Sequence, residues 1–310
     1  MRLIFMGTPE YAVPTLRALA QAGHEVVLAV TQPDKPRGRS GALLPPPVKE
    51  AALELGIPVF QPRRVREPEC VEHIRSFAPE AIVVVAFGQI LPQELLDIPP
   101  LGCINGHASL LPAYRGAAPV QWAMLRGESE TGVTTMFMDA GLDTGDMILR
   151  RTVPIGPEDT GGSLEETLSH VTADLVTETL ELVAAGTAPR EKQPAESTTP
   201  YAGMLKKEMG EINFFDSAQE IALRVRALSP WPGTYCIWAE KTLKIWKAEV
   251  ADWSTDAFPG QIILAEKDDL VVQTGSGALR LLEVQLEGKK RMETAAFLRG
   301  VRMKEGETLC

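Results

Sequence analysis

The sequence predicts an α/β protein: a doubly wound, mostly parallel sheet of Rossmann-like type, followed by a smaller C-terminal β-barrel of OB-like type. Three observations predict it. Apolar, β-branched runs alternate with helical stretches through the first part of the chain; a polar, Pro-rich stretch interrupts them; short strand-like runs with turn signals follow.

Each element can be justified in order. "RLIFM" (2–6) is a short apolar run ended by Gly7-Thr8-Pro9, and Val13, Leu16, Leu19 and Ala20 then fall on one helical face. "EVVLAV" (25–30), "AIVVVAF" (81–87) and "GCINGHA" (102–108) are further strand-like runs. "ALLPPPVKEAALELG" sets prolines just before a helix, where a missing N–H costs nothing. Residues 161–186 read as a long amphipathic helix, with Ser163 expected as N-cap and Glu166 completing a capping box. "GTAPREKQPAESTTPYA" (186–202) is aperiodic and reads as a linker. Beyond it come a helix (217–228), the hard turn "SPWPG" and strand-like runs at 234–239, 242–250, 260–265 and 270–285, the last broken by "TGSG". The expected division is a catalytic domain over 1–189, a linker over 190–207 and a β-barrel over 208–310.

Composition bounds the possible functions. The 310 residues, 45% hydrophobic and 23% charged, suit a soluble globular protein with room for two cores. Cys70, Cys103, Cys236 and Cys310 are scattered without a CxxC pair, which argues against a disulfide framework and a zinc site; no metal is expected, and a reducing cytoplasm is the expected setting. "MRLIFMGTPEYAVPTL" meets its Gly-Thr-Pro too early for a signal peptide, and no run approaches the roughly 18 apolar residues of a membrane span. Nothing suggests an obligate interface, so a monomer is expected. The net charge of −10 is uneven: residues 1–200 carry 16 basic and 25 acidic side chains, residues 201–310 carry 15 and 16. Charge alone neither requires nor excludes an RNA partner, since basic groups can still gather on one face.

Chemistry concentrates in two places. "CINGHASLLPAYRG" (103–116) sets Asn105, His107 and Ser109 at every second residue, hence on one side of an extended segment. Three unpaired polar groups on a buried face would cost about 1–3 kcal/mol each, so they pair with something or face a cleft. "MDAGLDTGDM" (138–147) sets Asp139, Asp143 and Asp146 among glycines between two apolar runs. A lone His at a strand end is ordinarily packing, and an Asp-Gly turn is ordinarily only a turn, so structural and functional readings both stand here. The dinucleotide reading of "FMGTPE" fails, because Gly7 stands alone where G-x-G-x-x-G is needed. Lys35, Arg37 and Arg39 make the loop 31–49 basic, and "KTLKIWK" (241–247) and "GKKRM" (288–292) are two further basic patches with an aromatic nearby. Such patches often only protect strand edges, but two in one small barrel favour RNA backbone contact.

"FMGTPEYAVPTL", "INGHASLLPAYRGAAPVQWA", "TGVTTMFMDAGLDTGDMIL" and "SPWPGTY" occur in this order, and together they resemble the methionyl-tRNA formyltransferase family over nearly the whole chain. The resemblance implies transfer of a formyl group from 10-formyltetrahydrofolate to the α-amine of methionyl initiator tRNA. It implies a catalytic set of Asn105, His107 and Asp143. It implies a folate pocket at Phe87, Gly88, Ile90, Leu91, Ser109, Leu110, Leu111, Pro112 and the Asp139–Asp143 turn. It also implies tRNA contacts from the loop 34–44, with Lys35, Arg37 and Arg39, and from the barrel, where Lys244, Lys247, Lys289 and Lys290 are the candidate cations. The residue types suit the reaction: an oxyanion needs donors already in place, and an attacking amine must lose a proton.

Two departures from the family stand out. Gly106 occupies a position that is often branched and apolar, and Ser40-Gly41-Ala42 stand where lysines are common. Two rival readings remain, a small-molecule formyltransferase and an RNA-binding module with an idle α/β domain. The second domain argues against the first, and the intact Asn105, His107 and Asp143 set argues against the second.

Overall fold

The computed structural model describes residues 1–37 and 41–310, Arg37 by its backbone alone. Contacts cluster into two units: Met1–Pro119, Glu130–Pro154 and Glu165–Gly203 form one, and Val120–Ser129, Ile155–Leu164 and Met204–Cys310 the other. Among the described residues no helix is long and apolar enough to cross a membrane.

The elements up to residue 184 are β1 (Arg2–Gly7), α1 (Val13–Gln21), β2 (Glu25–Val30), β3 (Lys35–Arg37), β4 (Ala42–Leu44), α2 (Pro47–Glu54), β5 (Val59–Phe60), α3 (Pro68–Ser76), β6 (Ala81–Val85), α4 (Gln93–Leu96), β7 (Cys103–His107), α5 (Pro119–Leu125), β8 (Glu130–Phe137), β9 (Met147–Pro154) and α6 (Gly161–Ala184). The sheet order is β5-β2-β1-β6-β7-β8-β9. It is parallel from β5 to β7, and β8 and β9 then add antiparallel. Alternation builds two cores. Leu3, Phe5, Val83, Val85 and Ile104 pack with α1, α2 and α6 through Leu16, Leu19, Val48, Val176 and Leu180. Ile4, Met6, Ile82, Val84 and Cys103 pack with α3 and α4 through Val71, Ile74, Leu95 and Leu96. Each such side chain stabilises the fold by about 1.5–3 kcal/mol on full burial. The chain leaves β1 toward β2 and β5, then returns to β6 on the other side of β1. The carboxyl ends of β1, β6 and β7 thus flank a switch point, where open α/β sheets bind ligands.

Three details differ from the sequence reading. The loop after β2 contains a hairpin, with Lys35 opposite Leu44 and Arg37 opposite Ala42. Helix α6 starts at Gly161: Thr160 Oγ1 accepts from the Ser163 amide while Ser163 Oγ accepts from the Thr160 amide, so Thr160 caps the helix and Ser163 serves as its third residue. The Pro-rich stretch is tied down, not free. The Glu191 and Met147 backbones exchange two hydrogen bonds, and Ala202 bonds to Arg115, Ala117 and Ala118.

The second unit holds α7 (Ala218–Ala227), β10 (Thr234–Trp238), β11 (Lys241–Val250), β12 (Ile262–Glu266), β13 (Asp269–Gln273), β14 (Ala278–Leu286), β15 (Met292–Glu293) and α8 (Thr294–Gly300). Ser217 and Glu220 cap α7 reciprocally. The antiparallel order is β10-β11-β14-β13-β12, with β15 beside β14. Residues 306–310 join its two edges: Leu309 N donates to Gly260 O at 2.8 Å and Ile262 N to Glu307 O at 2.8 Å, while Ile237 and Cys310 exchange backbone bonds. That pairing closes the sheet into a barrel, and it gives Cys310 a backbone role that its thiol did not suggest.

Candidate active site

The site is built where β7 runs out of core. Cys103, Asn105 and His107 lie on one face of this strand, and the core on that face ends at Cys103. Burial pushes the Cys103 thiol up to about 12, which leaves it inert. Asn105 is 8% exposed, and among the described residues its amide has no hydrogen-bond partner. Neither polar atom of that amide is sealed from solvent, so its free N–H faces open space where a ligand oxygen can meet it.

His107 Nε2 lies 3.0 Å from the Tyr114 carbonyl oxygen. A carbonyl only accepts, so this bond assigns the proton of the neutral ring to Nε2 and leaves a lone pair on Nδ1. Nδ1 faces Asp143 Oδ1 at 3.8 Å, too far for a direct hydrogen bond. Two acceptors thus face one another across a space that a donor can fill. Asp143 is itself fixed: its Oδ2 accepts from the Gly116 amide at 2.9 Å, and its backbone adopts a left-handed φ of 55°, which Asp tolerates better than most residues. The turn around it is closed by Asp139 Oδ1, which accepts from Gly141 N and Thr144 Oγ1. Gly145 has to be glycine, since a Cβ there would sit 1.7 Å from the Phe137 carbonyl.

Two anchors were not legible in advance. Thr134, opposite His107 on β8, donates to Ser109 O and accepts from Leu111 N, which sets the loop 109–112. Gln193, in the Pro-rich stretch, accepts from Arg115 Nε and Nη2 and donates to Asp143 O at 2.9 Å and Gly145 O at 2.8 Å. Arg115 also donates from Nη2 to Pro194 O and from Nη1 to Ala195 O. Aperiodic polar sequence carries no signal for such ties; only the distant partners reveal them.

Among the expected folate-wall residues, Phe87, Leu91 and Leu111 are buried, Leu110 and Pro112 half-buried, and Asp139 and Ile90 exposed, Ile90 by 69%. Gly88, at φ 80°, presents main chain at this rim, where Gln32 Nε2 donates to its carbonyl. Ser109 differs from the sequence picture of three polar groups facing one way: β7 ends at His107, and the Ser109 hydroxyl is fully buried, donating to Ala113 O. Of the expected RNA-facing cations, Lys35 donates to Gln32 Oε1, while Arg39 lies outside the described residues and Arg37 is described only as backbone. On the barrel Lys244 lies 5.6 Å from the Trp246 ring centroid, and Arg291, absent from the sequence-derived set, stacks over the same ring at 4.7 Å. Lys289 and Lys290 are exposed in the turn after β14. Lys247 is paired with Glu158 at 2.7 Å, which holds the ammonium above its usual pKa and the carboxylate below its own.

A doubly wound sheet with an amide, an imidazole and a carboxylate at its carboxyl edge, followed by a small barrel, defines a class, and the family models name it. Residues 1–180 match the formyl transferase model, and residues 204–302 match the model for the formyl transferase C-terminal domain. Methionyl-tRNA formyltransferase of Geobacter sulfurreducens is 53% identical over 100% of this chain and 96% of its own length. That of Agathobacter rectalis is 53% identical over 99% and 98%. The crystal structure of HypX from Aquifex aeolicus in complex with tetrahydrofolic acid shares the fold at a TM-score of 0.64 and 18% identity, covering 100% of this chain and 50% of that one. The chain belongs to the formyl transferase family and, within it, to the methionyl-tRNA formyltransferases.

Proposed function

We infer that the protein moves a formyl group from 10-formyltetrahydrofolate to the α-amine of methionyl initiator tRNA, as a cytoplasmic monomer. The observation that carries this reading is the partnerless Asn105 amide beside a His107 whose free Nδ1 faces Asp143. The full-length identity to methionyl-tRNA formyltransferases supports the choice of acceptor.

The residues fit a folate donor: a glycine rim at Gly88, an exposed apolar Ile90 and an unpaid amide donor stand at one sheet edge. The donor supplies an activated formyl carbon whose carbonyl oxygen gains negative charge on attack. Asn105 Nδ2 is the preorganised donor for that oxygen, and removing such a donor typically costs 10²–10³ in kcat. His107 cannot offer Nε2–H, which Tyr114 O holds. It therefore acts through Nδ1, taking the proton that the attacking amine sheds; as the oxyanion collapses, the bond between the formyl carbon and the folate nitrogen breaks, and Nδ1–H returns that proton to the leaving nitrogen. Asp143 Oδ1, held at 3.8 Å, stabilises the imidazolium as it forms.

The test is a kcat measurement with 10-formyltetrahydrofolate and methionyl initiator tRNA. His107→Ala and Asp143→Asn should fold as the wild type does and lose roughly 10²–10⁴ in kcat. Asn suits the left-handed backbone at 143, so that variant isolates the charge. Wild-type turnover in either variant would sink the assignment, and transfer only to a free nucleotide amine would move the enzyme to the small-molecule class.

A further inference from the structure

Tyr114 holds a backbone conformation that a bulky side chain rarely adopts. Its φ is 55°, in the left-handed region, and the residue is buried. Such backbone persists only where its surroundings over-determine it, and it collects at working sites. The surroundings here are residues 197–202 of the Pro-rich stretch, which lie along the loop 112–118. Thr199 Oγ1 accepts from Tyr114 N at 2.7 Å. Ser197 Oγ donates to Pro112 O at 2.7 Å and accepts from Thr199 N at 3.2 Å, so it holds both the loop and Thr199. Past Tyr114, Arg115 O accepts from Ala202 N at 2.8 Å, and Ala202 O accepts from Ala117 N at 2.7 Å. Gly116 permits this approach: a Cβ there would sit 2.5 Å from Ala202 O.

The Tyr114–Arg115 peptide is thus held between two pinned neighbours: Thr199 fixes the peptide before it, and Ala202 the peptide after it. Its carbonyl is the one that meets His107 Nε2 at 3.0 Å. In a neutral imidazole the hydrogen bond made by one nitrogen decides which of the two carries the proton. Were that carbonyl to turn away, the proton could settle on Nδ1, on the side of Asp143 Oδ1. Nδ1 would then lack the lone pair that receives the proton of the attacking amine. We propose that Thr199 is a positioning residue for the reaction. Its hydroxyl holds the left-handed Tyr114 in place, so that the Tyr114 carbonyl keeps His107 protonated on Nε2 and bare on Nδ1. The proposal rests on the reading of His107 as the group that takes the amine's proton. It makes a stretch with the composition of a linker part of the catalytic unit.

The experiment compares the wild type with Thr199→Val, which keeps the shape and removes the hydroxyl, and Thr199→Ser, which keeps the hydroxyl. Thr199→Val should lower kcat about tenfold, the scale of one hydrogen bond, with KM for 10-formyltetrahydrofolate and for tRNA nearly unchanged. Thr199→Ser should keep the wild-type kcat. Should Thr199→Val not fold, Thr199→Ala carries the same expectation. Nitrogen NMR of isotope-labelled histidine rings reads the same step without turnover, and the His107 signal among the four histidines is the one lost in His107→Ala. The wild type should show neutral His107 with its proton on Nε2, and Thr199→Val a mixture with the Nδ1 form. Wild-type kcat in Thr199→Val, a fall in kcat with the proton unmoved, a change confined to KM, or a Thr199→Ser enzyme as slow as Thr199→Val would each overturn the proposal. Should the wild type transfer no formyl group, the functional reading itself fails. The spectra then decide alone: a proton that moves in Thr199→Val upholds the positioning role, and one that stays rejects it.

Discussion

Both ends of the Gln193 amide are spent: its oxygen on the Arg115 fork, its nitrogen on the carbonyls of Asp143 and Gly145. One side chain therefore fixes the loop that carries Tyr114 to the turn that carries Asp143. His107 takes its tautomer from the first and its counter-charge from the second. Replacement by Ala leaves two carbonyls and a guanidinium without these bonds, at about 1–3 kcal/mol for each group that stays buried. The expected outcome for Gln193→Ala is a folded enzyme of lower melting temperature whose kcat falls about 10²-fold, the scale of an ångström's misplacement, with KM for the donor nearly unchanged. Gln193→Glu keeps an acceptor for Arg115 but loses both donations, so it should not rescue kcat. Steady-state kinetics on the two variants decide this: a KM effect alone would mean that Gln193 shapes the pocket and not the Asp143 turn. Asn105 and His107 were legible because a strand has period two and polar residues on that period stand out. Gln193 was not, because its neighbours in sequence have no period and its partners lie far along the chain.

At the scale of elements, Gly106 lies between the two side chains proposed for catalysis, Asn105 and His107. Gly106 faces away from the cleft, as the alternation predicts, and α6 fills the space a side chain would take. An ideal Cβ would sit 2.6 Å from Thr172 Cγ2 and 3.1 Å from Val176 Cγ2. Thr172 cannot rotate away cheaply, since its hydroxyl bonds to Leu168 O at 2.8 Å and to the Tyr11 hydroxyl at 2.6 Å. The glycine is thus the mark of a close helix-to-strand approach and not a loosened strand. Gly106→Val should destabilise the fold by about 1–3 kcal/mol through overpacking, visible as a lower melting temperature. A raised one would show that α6 can withdraw. The sequence disclosed β1, β2, β6 and β7 by their apolar runs, and α1 by the apolar face of Val13, Leu16, Leu19 and Ala20. It could not disclose the β3–β4 hairpin, whose strands are three residues each and carry Pro36, nor the closure of the barrel by residues 306–310. Both depend on pairing across sequence distance, with no local pattern to announce it.

For the molecule as a whole, a charge of −10 works against a polyanionic substrate, so tRNA affinity must come from a few local cations. These are not equivalent. Lys244 stands over Trp246 without an ion-pair partner among the described residues, and Lys289 is exposed in a turn, whereas Lys247 already holds Glu158. A lysine that neutralises a phosphate releases condensed counterions, and each such contact adds about 0.7–0.9 to the slope of log K against log salt. A lysine that must first leave a carboxylate gains less, because the Glu158 charge it abandons then repels the same backbone. Anisotropy titrations of tRNA between about 50 and 200 mM salt should therefore separate the three. Lys244→Ala and Lys289→Ala should each lower the slope by about 1, and Lys247→Ala by clearly less. If Lys247→Ala matched the other two, Glu158 would have to swing away on binding. Glu158→Gln would then strengthen tRNA binding only in the presence of Lys247.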